Sequence, residues 1–93
     1  MFSIPRVNVI QSDDGFSIEV LGRVGMKYRE GEGSLFVDSE VLVPGKGILI
    51  ITKSIRQWDP PYDGEPITAA KKSAIVENIK RAMLFKKEPL EIV

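Results

Sequence analysis

The chain contains neither cysteine nor histidine. Without cysteine there is no disulfide, no thiol nucleophile and no thiolate ligand for a metal. Without histidine there is no imidazole base, which excludes Ser-His-Asp and Cys-His catalysis and every Cys/His zinc site. Carboxylates, lysines, tyrosines and hydroxyls remain for chemistry, and no metal or cofactor is expected. Net charge is missing too: 13 basic and 13 acidic residues cancel. No overall field therefore draws the protein to nucleic acid or to an anionic membrane. Long apolar runs are absent, and "GILII" falls far short of the roughly 18 residues a membrane helix needs. The opening "MFSIPRVNVI" lacks a basic head, a long apolar stretch and a small-residue cleavage site, so no signal peptide is expected. The cytoplasm is the expected compartment, since a chain without cysteine fits a reducing environment.

What is present points to one folded domain spanning residues 1–93. Hydrophobic residues make up 43% and charged residues 28% of the chain, an ordinary globular balance. The first half alternates with period two, as half-buried strands do. "RVNVIQ" (6–11) sets Val7 and Val9 against Asn8 and Ile10, and Asp14-Gly15 is a hairpin pair. "FSIEVL" (16–21) turns Phe16, Ile18 and Val20 inward. "GRVG" (22–25) turns or bulges the chain into "MKYRE" (26–30), which places Met26 and Tyr28 on one face. "SLFVDSEVLV" (34–43) sends Leu35, Val37, Val41 and Val43 to one side. "ILIIT" (48–52) is apolar on both faces and reads as an interior strand covered on both sides. These runs predict an antiparallel meander of about five strands.

The second half changes period. Ile75, Val76, Ile79, Ala82 and Met83 form one helical stripe, so the spacing predicts a helix over about 68–86 packed on the sheet. Thr68 is its candidate N-cap, and Glu77 and Arg81 are candidate i,i+4 partners. Pro89 ends the helix by disfavouring α geometry at Glu88. "LEIV" (90–93) alternates again and should rejoin the sheet. The fold class expected is α+β.

Between the halves lies "QWDPPYDGEP" (57–66), with the only tryptophan, one of two tyrosines and three of six prolines. Pro60 and Pro61 fix two φ angles and hold Asp59 extended, which predicts a stiff crossover from the last meander strand to the helix. Trp58 at its mouth is suited to fill a gap between sheet and helix, so Trp58, Pro60 and Pro61 are candidate structural anchors. Asp59, Tyr62, Asp63 and Glu65 combine one sign of charge with an aromatic ring, the composition of a protein-binding surface.

Other constellations read as structure. Asp38 and Glu40 share a strand face and are the best catalytic carboxylate pair the chain offers, a carboxylate-dependent enzyme being a further class, but a solvated sheet face predicts the same pair for solubility alone. Asp13-Asp14-Gly15 lacks the spaced oxygens of a calcium loop. "GEG" (31–33) and "PGKG" (44–47) lack the Lys-Ser/Thr sequel of a phosphate loop and read as hairpin turns. Lys71, Lys72, Lys80, Arg81, Lys86 and Lys87 read as a solvated helix face. A nucleic-acid or regulatory binding module using that helix and the sheet face is the alternative class.

From Ser34 onward the order of features resembles a known family. "SLFVDSEVL", an apolar strand, "SIRQWDPPYDGEPIT", "IVENIKRAMLF" and a short last strand together resemble the immunity protein 74 family of bacterial polymorphic-toxin systems. The most specific part is the series Ile55, Trp58, Pro61, Glu65 and Ile67, followed by the helix from Ile75 to Phe85. The resemblance implies a small, non-enzymatic cytoplasmic protein that binds and neutralises the effector domain of a cognate toxin. It implies no particular site residues.

Overall fold

The structure is a computed structural model and describes residues 1–22 and 25–93. Among these residues seven strands form one sheet in the order β1 to β7. They are β1 (Phe2–Arg6), β2 (Val9–Ser12), β3 (Phe16–Val20), β4 (Gly25–Glu30), β5 (Gly33–Val41), β6 (Ile48–Ile50) and β7 (Leu90–Ile92). Among the described residues one α-helix, α1 (Ala69–Lys86), stands between β6 and β7 in the chain. The first six strands are antiparallel neighbours, whereas β7 lies parallel to β6. Returning a strand parallel to its neighbour requires a long crossover, which residues 51–89 supply through the connector and α1. The α+β class expected from the two sequence periods is the class observed.

Register explains which residues enter the core. Ile10, Ile18, Tyr28 and Leu35 face one another across β2 to β5 and are all buried. The neighbouring row, Val9, Glu19, Lys27 and Phe36, points to the other face. Ile75, Ile79, Ala82 and Met83 of α1 complete the buried cluster on the inner face. The Thr68 hydroxyl accepts from the Lys71 amide at 3.1 Å, which caps the helix as its sequence requires. Lys87, with φ 60, closes the other end, and the Glu88 amide donates to the Met83 carbonyl.

Four details differ from the sequence reading. Residues 6–11 are not one strand: β1 and β2 form a hairpin that turns at Val7 and Asn8. Val7 is therefore 88% exposed while Val9 and Ile10 are both buried. Asn8 holds this turn to β3, its side-chain amide and its carbonyl oxygen both meeting the backbone of Val20. The meander thus has six strands instead of five.

On β5 the apolar stripe stops early. Leu35 and Val37 are buried, but Ser39 takes the next inward position and Val41 and Val43 are exposed. From Ser39 on, β5 has left β4 and runs beside β6. β6 is interior in the sheet order, yet it is covered on one face only, since Leu49 is half-buried on the outer side. It also ends at Ile50, and Thr52–Ser54 form a single 3-10 turn. Finally, Arg81 does not pair with Glu77. Its guanidinium meets Asp14 at 2.9 Å and lies over the Phe2 and Phe16 rings, while Glu77 pairs with Lys80 at 3.5 Å. The expected turn at "GRVG" includes Arg23 and Val24, which lie outside the described residues.

Candidate functional site

Residues 57–66 form a loop whose ends meet, since Gln57 and Pro66 make an isolated antiparallel bridge. Closed ends and self-packing side chains make this a small Ω-loop. Two successive turns shape it: the Tyr62 amide donates to the Asp59 carbonyl, and the Glu65 amide donates to the Tyr62 carbonyl, each at 3.0 Å. The peptide bond between Pro60 and Pro61 is cis, and both rings are exposed.

Trp58 enters the core at one end of the loop and is 8% exposed. It fits because Gly33 has no side chain: a Cβ there would stand 3.1 Å from Trp58 Cε3. Asp59, the next residue, turns instead toward the outer face of the sheet, where Lys27 lies. Its amide donates to the Ser34 carbonyl at 2.7 Å, which extends the β5 edge by one backbone bond. Its carboxylate accepts from Lys27 Nζ at 2.7 Å and from Ser34 Oγ at 3.1 Å. The hydrogen bond from Lys27 is the main cause that holds the Asp59 carboxyl below its ordinary range, against a smaller upward push from burial.

Beyond the prolines the environment changes. Tyr62 is half-buried and its hydroxyl donates to Glu32 Oε2 at 2.6 Å, which raises the phenol above its usual pKa. Asp63 and Glu65 are exposed. A shallow depression of about 450 Å³ lies beneath this rim, lined by Glu30, Glu32, Gly33, Trp58, Tyr62, Glu65, Pro66 and Lys71. Three carboxylates against one ammonium make it acidic.

Glu30 and Lys71, which line the depression, belong to a polar network joining sheet and helix. Tyr28 is fully buried, and its hydroxyl donates to Glu30 Oε1 at 2.6 Å and accepts from Asn78 Nδ2 at 2.9 Å. Lys71 of α1 donates to Glu30 Oε2. Burial pushes the Glu30 carboxyl up, but the hydrogen bonds from Lys71 and Tyr28 outweigh it and the net shift is downward. Burial, reinforced by Glu30, pushes the Tyr28 phenol far above its ordinary value, so this group stays neutral.

The structure thus sets Tyr62 and Glu65 around the depression with Asp63 exposed between them in the chain, while Asp59 is turned into a bond with the sheet. Sequence reasoning missed Glu32, Glu30 and Lys71 as members of the site. The signal for Glu32 was present in "GEG", which is indeed a turn, but one whose glutamate faces the loop. Asp38 and Glu40 are exposed on the outer face, and Asp13-Asp14-Gly15 is a turn with Gly15 at φ 97. Among the described residues no group of three acidic side chains is placed to hold a metal ion. Among the described residues five basic side chains already have carboxylate partners: Lys27 with Asp59, Arg29 with Glu19, Lys71 with Glu30, Lys80 with Glu77 and Arg81 with Asp14. No helix is long and apolar enough to cross a membrane among the described residues.

The fold is that of a small α+β protein whose most differentiated surface is an acidic, aromatic loop clamped onto a curled sheet. The family model described as immunity protein 74 matches residues 17–93, and the chain belongs to that family. The match reaches back to β3 and β4, beyond the stretch from Ser34 whose motifs carry the resemblance. Searches of curated proteins and of solved structures find no match.

Proposed function

We propose that this chain is a non-enzymatic bacterial immunity protein, acting in the cytoplasm by binding and blocking the effector domain of a cognate polymorphic toxin. The observation that carries the reading is family membership over residues 17–93. The contact surface proposed is the loop rim of Tyr62, Asp63 and Glu65, joined by Glu32, with Trp58, Asp59, Pro60 and Pro61 holding it in shape. Its charge is acidic, and toxins that act on nucleic acids carry lysine and arginine around their active sites. A rim tied down at Trp58 and Asp59 loses little conformational entropy when a partner arrives.

The test is protection. The chain is expressed in cells that also express the effector domain encoded by the toxin gene adjoining its own. Survival, together with copurification of the two proteins, is the expected result. Killing that proceeds regardless of the chain, with no complex formed, overturns the reading. A salt-dependent shift of nucleic acid by the chain alone would instead favour the nucleic-acid module.

A further inference from the structure

The two edges of the sheet are built differently. β1 carries Pro5, which has no amide hydrogen to offer, and its pairing with β2 shifts register between Ser3 and Arg6. Proline and a bulge are the usual devices that keep an edge from recruiting another strand. β7 has neither. In its parallel ladder the Ile48 amide donates to the Pro89 carbonyl at 2.9 Å, and the Val93 amide donates to the Ile50 carbonyl at 3.1 Å. Odd-numbered residues therefore face β6, and the backbone N–H and C=O of Leu90 and Ile92 point away from the sheet. Gly47 permits this close docking, since a Cβ there would collide with the Pro89 carbonyl.

Beside that edge runs an apolar cleft of about 350 Å³ between β7 and α1. Met83, Leu84, Pro89, Leu90 and Ile92 line it, with Leu84 79% and Ile92 41% exposed. On the opposite face of the sheet the register sets Glu40, Leu49 and Glu91 in one row, so the outer side of this edge is acidic.

We propose that the β7 edge takes an added strand from a partner protein, with apolar side chains alternating about a central lysine or arginine. The backbone of that strand pairs with Leu90 and Ile92. Its apolar side chains enter the cleft against Leu84 and Ile92, and its basic residue lies opposite Glu91. Main-chain bonds supply adhesion and alternate side chains supply selectivity, as in strand addition generally. Charge also argues against a second copy of this chain. Antiparallel self-pairing that uses both Leu90 and Ile92 sets Glu91 against its own counterpart, and like charges directly opposite repel. This surface is separate from the loop rim and does not depend on the toxin reading.

The probes are two peptides, Ac-Thr-Thr-Val-Lys-Val-Thr-Thr-NH2 and the same peptide with Glu for Lys, titrated into the labelled full chain by amide NMR. The lysine peptide should shift and protect the Leu90 and Ile92 amides, binding about fivefold tighter than the glutamate peptide at low salt. Glu91→Lys should reverse that preference while leaving the fold intact. Ile92→Pro removes one outward amide and no bond to β6, and it should abolish binding of both peptides. Equal binding of the two peptides, no change at Leu90 and Ile92, or an unaltered preference in Glu91→Lys each overturns the proposal. So does sedimentation of the unliganded chain as a dimer whose β7 amides are already protected. If the toxin domain fails to bind at all, the peptide result still decides this inference on its own.

Discussion

Trp58-Asp59 and Tyr62-Asp63 are two aromatic–aspartate pairs four residues apart, and the fold treats them in opposite ways. Trp58 is buried against Gly33, and Asp59 is bonded to Lys27 and Ser34. Tyr62 is half-buried at the edge of the core with its hydroxyl on Glu32, and Asp63 is exposed. Position relative to β5 makes the difference. The first pair leaves the sheet where Gly33 opens a gap and Lys27 presents an ammonium. The second follows two prolines and a turn that carry it over the rim. One pair is bonded into the sheet, and the other leaves its aspartate in solvent.

Substitutions at each pair sharpen that contrast. Trp58→Ala should have the largest effect, a loss of about 3–5 kcal/mol, read as a lower denaturant midpoint. The native protein should also show blue-shifted tryptophan emission that acrylamide quenches poorly. A red-shifted, freely quenched spectrum with an unchanged midpoint in the alanine variant would break the comparison at its strongest point.

Acid comes next. The folded carboxyls of Glu30 and Asp59 lie below their ordinary values of 4.5 and 3.8. Depressed values mean that their stabilisation is complete above those figures and is lost as pH falls through the folded values. Denaturant midpoints should therefore drop progressively from about pH 4.5 downward, and Glu30→Gln should flatten that slope. The Tyr28 phenol, raised from 10.0, acts in the other direction: its contribution is complete below that value and declines as pH climbs past it.

Asp59→Asn should cost about 1 kcal/mol, because the pair with Lys27 is partly solvated and a neutral amide keeps some of the hydrogen bonding. It should leave toxin association almost unchanged. Asp63→Lys and Glu65→Lys should do the reverse, with no measurable change in midpoint but slower association and a weaker salt dependence. Kinetics at low and high salt read this directly. Reversals at Asp63 and Glu65 that associate and dissociate like the parent would make the rim a connector only, and the contact face would lie elsewhere.

How far the sequence carried varies from element to element. The α1 stripe from Ile75 to Met83 and the Thr68 cap were legible because helix periodicity and capping are local. Alternation at Phe16 and Ile18, and at Leu35 and Val37, was legible for the same reason. The turn at Val7 and Asn8 was not, since a Val-Asn-Val run alternates whether it continues or folds back. The fate of Arg81 was equally hidden. Its choice of Asp14 over Glu77 depends on β1 and the β2–β3 turn reaching the helix.

By itself the sequence determined that this is an α+β chain with a sheet-forming half and a helix-forming half, since period and turn chemistry are written residue by residue. Absences in the composition closed off thiol and imidazole chemistry with equal certainty. Only the tertiary structure decided which acids are bonded within the fold and which face outward. It also joined Glu30, Tyr28, Asn78 and Lys71 into one network, and it left the outward amides of β7 beside an apolar cleft. Those outcomes depend on residues tens of positions apart meeting across strands and helix. Burial and pairing arise from such meetings, and no short window of sequence contains them.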